Sequence, residues 1–148
     1  MRVAFTIYGE AQPAGSKKGF INKKTGGVII TDANKNLKTW QNTVSEVARD
    51  VMLPADGPGH DILEGPLSMK LTFYRTRPKS HFNADGSLNA EGRRMTFPSK
   101  RPDTTKLTRG IEDALTGIVW KDDAQVVHQE CWKDWSTVAR VEVEVSEL

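Results

Sequence analysis

Residues 67–74 read LSMKLTFY, with Leu67, Met69, Leu71 and Phe73 alternating against Ser68, Lys70, Thr72 and Tyr74. A period of two fits a pleated strand and no helix, and it requires a sheet with one face against a core. One strand cannot bury that face alone, so the chain must supply partners. Residues 3–8 read as one. Residues 138–145 read as another, with Ala139, Val141, Val143 and Val145 alternating against Arg140, Glu142 and Glu144. A third feature, KKTGG flanked by residues 20–22 and 28–31, is a β-hairpin signal.

Helical spacing appears twice. Leu37, Trp40, Val44, Val47, Ala48 and Val51 recur at about 3.6 residues, with Asp32 or Asn34 as the N-cap and Pro54 as the stop. In RPDTTKLTRGIEDALTG, Asp103 is placed to cap a helix that Gly117 ends, and Leu107, Ile111, Ala114 and Leu115 form its apolar stripe. Lys106, Gly110 and Asp113 fall along one edge of that stripe, with Arg109 a little further round. The expected fold is α+β: a small mixed or antiparallel sheet with two main helices packed on it, one domain over residues 1–148.

A chain of 148 residues buries a core without disulfides or structural metal. Its single cysteine, Cys131, excludes an internal disulfide, and His60, His81 and His128 lack metal-ligand spacing with it or with each other. The N-terminal apolar run is too short for a signal peptide or a membrane span, so a soluble, cytoplasmic protein is expected, with no membrane partner. Net charge is only +2, but it is unevenly spread. Residues 75–101 carry seven basic side chains (Arg75, Arg77, Lys79, Arg93, Arg94, Lys100, Arg101) against two acids, Asp85 and Glu91. Lys17, Lys18, Lys23 and Lys24 form a second basic group. Residues 76–102 show no periodicity and read as a long loop, of the kind that is often functional or disordered.

The segment VWKDDAQVV sets Asp122 and Asp123 inside an apolar run, where an ionised carboxylate needs a partner, solvent or a cation. Asp103 and Asp113 are about 15 Å apart along a helix axis, too far for one cation. A strand over residues 118–123, folding back antiparallel to the helix, retreats about 16 Å and brings Asp122 or Asp123 beside Asp103. Converging carboxylates at a helix N-terminus suit Mg²⁺, which activates water and neutralises charge growing on a phosphate. Lys106 or Arg109 adds electrostatic stabilisation there. The structural alternatives are an ordinary helix cap for Asp103, turn residues for Asp122 and Asp123, and core or edge aromatics for Trp120, Trp132 and Trp135.

RPDTTKLTRGIEDALTG followed by VWKDDAQVV resembles the signature of RusA-type Holliday-junction resolvases over about residues 101–127. The resemblance implies a small α+β homodimer that cuts four-way DNA junctions with Mg²⁺, or Mn²⁺ in its place. It assigns catalysis to Asp103, Asp123 and Arg109, the last standing where the family has a lysine. It assigns metal binding to Asp103 and Asp123, with Asp122 the less critical partner. Phosphate contacts then fall to Lys17, Lys18, Arg75, Arg77, Lys79, Lys100, Arg101 and Lys106. A phage or prophage origin is implied by analogy alone. One departure stands out: where the family pattern has D-x-D-N, this chain has Asp103-Thr104-Thr105-Lys106, with Thr105 in place of a carboxylate. The alternatives are a catalytically weak junction-binding protein and a nuclease preferring flap or fork DNA.

Overall fold

The computed structural model describes residues 1–15, 17–32 and 34–148, and for residues 17, 18 and 30–32 the backbone alone. The phosphate contacts expected of Lys17 and Lys18, and a cap by Asp32, therefore lie outside the described residues. In chain order come β1 (Arg2–Tyr8), β2 (Lys17–Ile21), β3 (Val28–Asp32), α1 (Leu37–Met52), β4 (Leu67–Arg75), α2 (Ala90–Arg94), α3 (Thr104–Leu115), β5 (Val126–Trp135) and β6 (Arg140–Glu147). Short 3₁₀ turns cover Lys79–His81 and Asp123–Gln125.

The alternating segments form the sheet, in the order β1-β6-β4-β5. β6 pairs antiparallel with both β1 and β4, while β5 lies parallel to β4 on the far edge, so the sheet is mixed. β2 and β3 form a separate hairpin, as KKTGG predicts. A parallel neighbour needs a crossover. Here residues 76–125 make it, carrying α3 between β4 and β5.

Burial follows the periodicities. Leu67, Met69, Leu71 and Phe73 of β4 are fully buried with Val141, Val143 and Val145 of β6, against Val44 and Ala48 of α1 and Leu107, Ile111 and Leu115 of α3. Burying each of those α3 side chains contributes roughly 2 kcal/mol, enough to fix the helix on the sheet. Two side chains tie the helices across their junction: Gln41 Nε2 donates to the Gly110 carbonyl at 3.1 Å and Ser45 Oγ to that of Ala114 at 3.1 Å. The opposite sheet face is polar, crossed by Lys70–Glu130, Arg2–Glu144 and Arg140–Glu142 ion pairs.

Two expectations change. The first concerns the path after α3. Residues 118–122 form no strand; they turn, and the return strand starts only at Val126. Trp120 anchors the turn, wholly buried with its Nε1 donating to Thr116 Oγ1 at 3.0 Å. The second concerns residues 76–102, which are folded rather than loose. Arg77 Nη1 donates to the carbonyls of Gly92 (2.8 Å) and Met95 (3.2 Å), and its guanidinium lies 5.0 Å from the Trp135 ring centre. Buried His81 meets the same indole edge to face at 5.5 Å, and Asn89 caps α2 through Gly92 N.

Candidate active site

The acidic motif Asp122-Asp123-Ala124-Gln125 builds its own turn. Asp122 Oδ1 accepts from Ala124 N at 2.9 Å, while Gln125 Oε1 accepts from Asp122 N and Lys121 N, each at 3.0 Å, closing a capping box. Gln125 Nε2 then donates to the carbonyls of Leu63 and Gly65, fixing the turn to the loop ahead of β4. Asp122 and Gln125 are thus spent on the backbone. Asp123 is left exposed, facing a cavity of about 340 Å³ beside α3.

Immediately after the turn the β4–β5 register slips by one residue: Leu67 pairs with Val126 but Ser68 with His128. Such bulges re-aim side chains at strand ends. Beyond it Gln129, Cys131 and Lys133 face α3. Gln129 Nε2 donates to Glu112 Oε1 at 2.8 Å, Cys131 lies beside Thr108, and Lys133 Nζ donates to the carbonyls of Lys100 (2.9 Å) and Pro102 (3.0 Å).

The helix side of the cavity is one stripe. Thr105, Thr108, Arg109 and Glu112 stand at i, i+3, i+4 and i+7, and all line it. Glu112 is half-buried, and desolvation pushes its carboxyl above the usual range, with repulsion from Asp123 and Asp113 adding to the shift against the Gln129 hydrogen bond and Arg109. Burial likewise pushes the Cys131 thiol up. The Arg109 guanidinium runs out to Gly15, where a Cβ would lie only 2.5 Å from Nη1. Gly15 has φ +109°, a conformation that side chains disfavour, so the N-terminal loop comes close to Arg109 because that residue is a glycine.

Asp103 is elsewhere. It is the N-cap of α3 without a cap hydrogen bond from its own side chain, and its carboxylate lies 3.9 Å from Lys106 Nζ. It lines a neighbouring groove of about 640 Å³ with Glu10, Asn34, Arg75, Arg101 and Lys106. The structure therefore gathers Asp123, Arg109 and the Thr105 position round one cavity and sets Asp103 in the next. Asp103 and Asp123 line adjoining cavities at the start of α3, with Thr104 and Thr105 on the Asp123 side. Asp123 shares its cavity with Glu112.

The basic residues divide in two. Arg75 Nη1 donates to the Ala11 carbonyl at 3.1 Å and Nη2 to Glu10 Oε1 at 3.0 Å, and Arg77 is held as described, so both brace the fold. Lys79, Lys100 and Arg101 are exposed, and Arg101 and Lys106 flank the Asp103 groove.

Glu112, Thr108, Gln129 and Cys131 also line the Asp123 cavity, and nothing in the sequence alone singles them out. Among the described residues no three His, Cys, Asp or Glu side chains cluster to hold a metal. The carboxylates of Glu112 and Asp123, threonine hydroxyls and the Gln129 amide do line the cavity, an oxygen-rich set of the kind hard divalent cations take, and Mg²⁺ uses one or two carboxylates with water and phosphate. The donor set fits such an ion.

A mixed sheet with two main helices packed on one face makes this a small α+β domain, with an exposed aspartate in one cavity and a groove of mixed charge beside it. The family model described as Endodeoxyribonuclease RusA matches residues 10–146, and the chain belongs to that family. It is also 32% identical over 146 residues to a Bacillus subtilis (strain 168) protein described as "Uncharacterized protein YqaN", covering 99% of this chain and 96% of that protein. Among the described residues no helix is long and apolar enough to cross a membrane.

Proposed function

We propose that this chain is a structure-selective endonuclease that resolves four-way DNA junctions by Mg²⁺-dependent phosphodiester hydrolysis, acting as a homodimer. The observation that carries the reading is the family match across nearly the whole chain, joined to an Asp123 carboxylate that the DDAQ turn leaves exposed in the cavity beside Arg109. A bound Mg²⁺ or Mn²⁺ supplies an acidified water and neutralises charge on the phosphate.

The chain's own residues do the rest. Asp123 is the principal carboxylate for the cation. Arg109, held out by the close approach of Gly15, meets the negative charge that develops on the phosphate. Asp103, at the N-cap of α3, is the second acid of the reaction region. Lys79, Lys100, Arg101 and Lys106 grip backbone phosphates on that flank, which gives affinity without sequence readout. A two-fold dimer presents two equivalent sites to two symmetry-related strands.

The test compares a synthetic four-way junction with forked, flapped and linear duplexes of the same sequence in Mg²⁺. Paired cuts in opposing strands of the junction alone are expected. Preferential cutting of forks or flaps would reassign the substrate. A second reading, a junction-binding protein with weak catalysis, draws on Thr105, which removes a carboxylate from the site. Tight junction binding without nicking in Mg²⁺ or Mn²⁺ would favour it.

A further inference from the structure

The family pattern that the sequence resembles has a carboxylate where this chain has Thr105, so the cavity should be short of negative charge. It is not. Glu112, two turns further along the same helical stripe, faces the same cavity as Thr105 and Asp123. We propose that Glu112 replaces the missing carboxylate, so that Glu112 and Asp123 together hold the divalent cation in this chain. The inference rests on the metal-dependent reading above.

Three observations carry it. Position 112 and position 105 are seven residues apart, close to two full turns, so their side chains project in the same direction about 10 Å apart along the axis. Asp123, exposed at the start of the 3₁₀ turn that precedes β5, lines the same cavity as Glu112. Gln129 fixes the Glu112 carboxylate from the β5 side at 2.8 Å through one oxygen, Oε1. A half-buried glutamate sharing a cavity with a second carboxylate is unfavourable for each acid alone, and a cation held by both would remove the repulsion.

The floor of the cavity points the same way independently of the acids. Thr108 is 4% exposed, and its Oγ1 has the Cys131 thiol beside it but no oxygen or nitrogen partner among the described residues. A buried hydroxyl left in that state is rare in folded proteins and usually marks water or an ion. Thr108 lines the same cavity, one turn before Glu112. A water bound to the cation satisfies it.

The test is Mn²⁺ titration of the full chain, without DNA, followed by the loss of the free-ion electron paramagnetic resonance signal. The parent should bind Mn²⁺, and Glu112→Gln should weaken binding at least about tenfold, the scale on which even outer partners of a metal site act. Asp123→Asn should do the same. Glu112→Gln keeps an oxygen for Gln129, and a thermal melt confirms that it folds. Adding Thr105→Asp to Glu112→Gln should restore Mn²⁺ binding, since it returns the carboxylate to the cavity. Binding lost with Asp123→Asn but kept in Glu112→Gln would overturn the inference and leave the metal-dependent reading standing. A loss in Glu112→Gln that Thr105→Asp leaves unrepaired would also overturn it. No Mn²⁺ binding by the parent would remove the metal-dependent reading, and the inference with it.

Discussion

Asp122 and Asp123 are adjacent and do opposite things. Asp122 closes a turn, and removing a capping oxygen of that kind costs about 1 kcal/mol. Asp122→Ala should therefore lower the thermal midpoint while leaving residual cutting, whereas Asp123→Asn should leave stability within about 1 kcal/mol of the parent and abolish cutting. Denaturation curves beside junction assays separate the two. Arg109 offers a second test at this scale. Gly15→Ala forces a methyl toward Nη1 and strains a backbone at φ +109°, so the guanidinium must move. Cutting should fall about tenfold, with a stability cost of about 1 kcal/mol; an unchanged rate would mean that Arg109 is not needed where it lies. Asp123 stood out in the sequence because two charges interrupt an apolar run. Glu112 did not, because a glutamate on an amphipathic helix looks like any solvated residue until a strand is laid beside it.

At the scale of elements, α3 is seated by a glycine. Gly110 lies under the loop before β2, where a Cβ would come 2.9 Å from the Gln12 carbonyl oxygen, and its own carbonyl receives Gln41. Helix propensity alone favours Gly110→Ala by about 1 kcal/mol. The backbone clash outweighs it, so we expect net destabilisation of about 1–2 kcal/mol in urea unfolding. Strands β1, β4 and β6 were legible because each alternates against the core. β5 was not, since its α3-facing residues are Gln129, Cys131 and Lys133, of which only the half-buried Cys131 packs on the core, while Trp132 on the other face is half exposed. The order within residues 76–102 was equally hidden. It comes from single long-range interactions, such as Arg77 on Trp135, which leave no periodicity to read.

For the whole molecule, the charge excess resolves into braces and surface. Arg77→Ala removes hydrogen bonds to two carbonyls and should cost about 1–3 kcal/mol of stability. Arg101→Ala should leave stability alone and weaken junction binding about equally for all sequences. It should also make the slope of log affinity against log salt shallower by about one, the change expected when a single phosphate is no longer neutralised. Binding curves at several salt concentrations beside thermal melts distinguish the two arginines. The account as a whole turns on Asp123 as the carboxylate that makes this scaffold cut DNA. Incubating parent and Asp123→Asn with a labelled synthetic four-way junction in Mg²⁺ measures that directly. The account predicts paired cuts in opposing strands by the parent, and binding of equal strength with no cuts by the variant; cutting by Asp123→Asn at the parent's rate would contradict it.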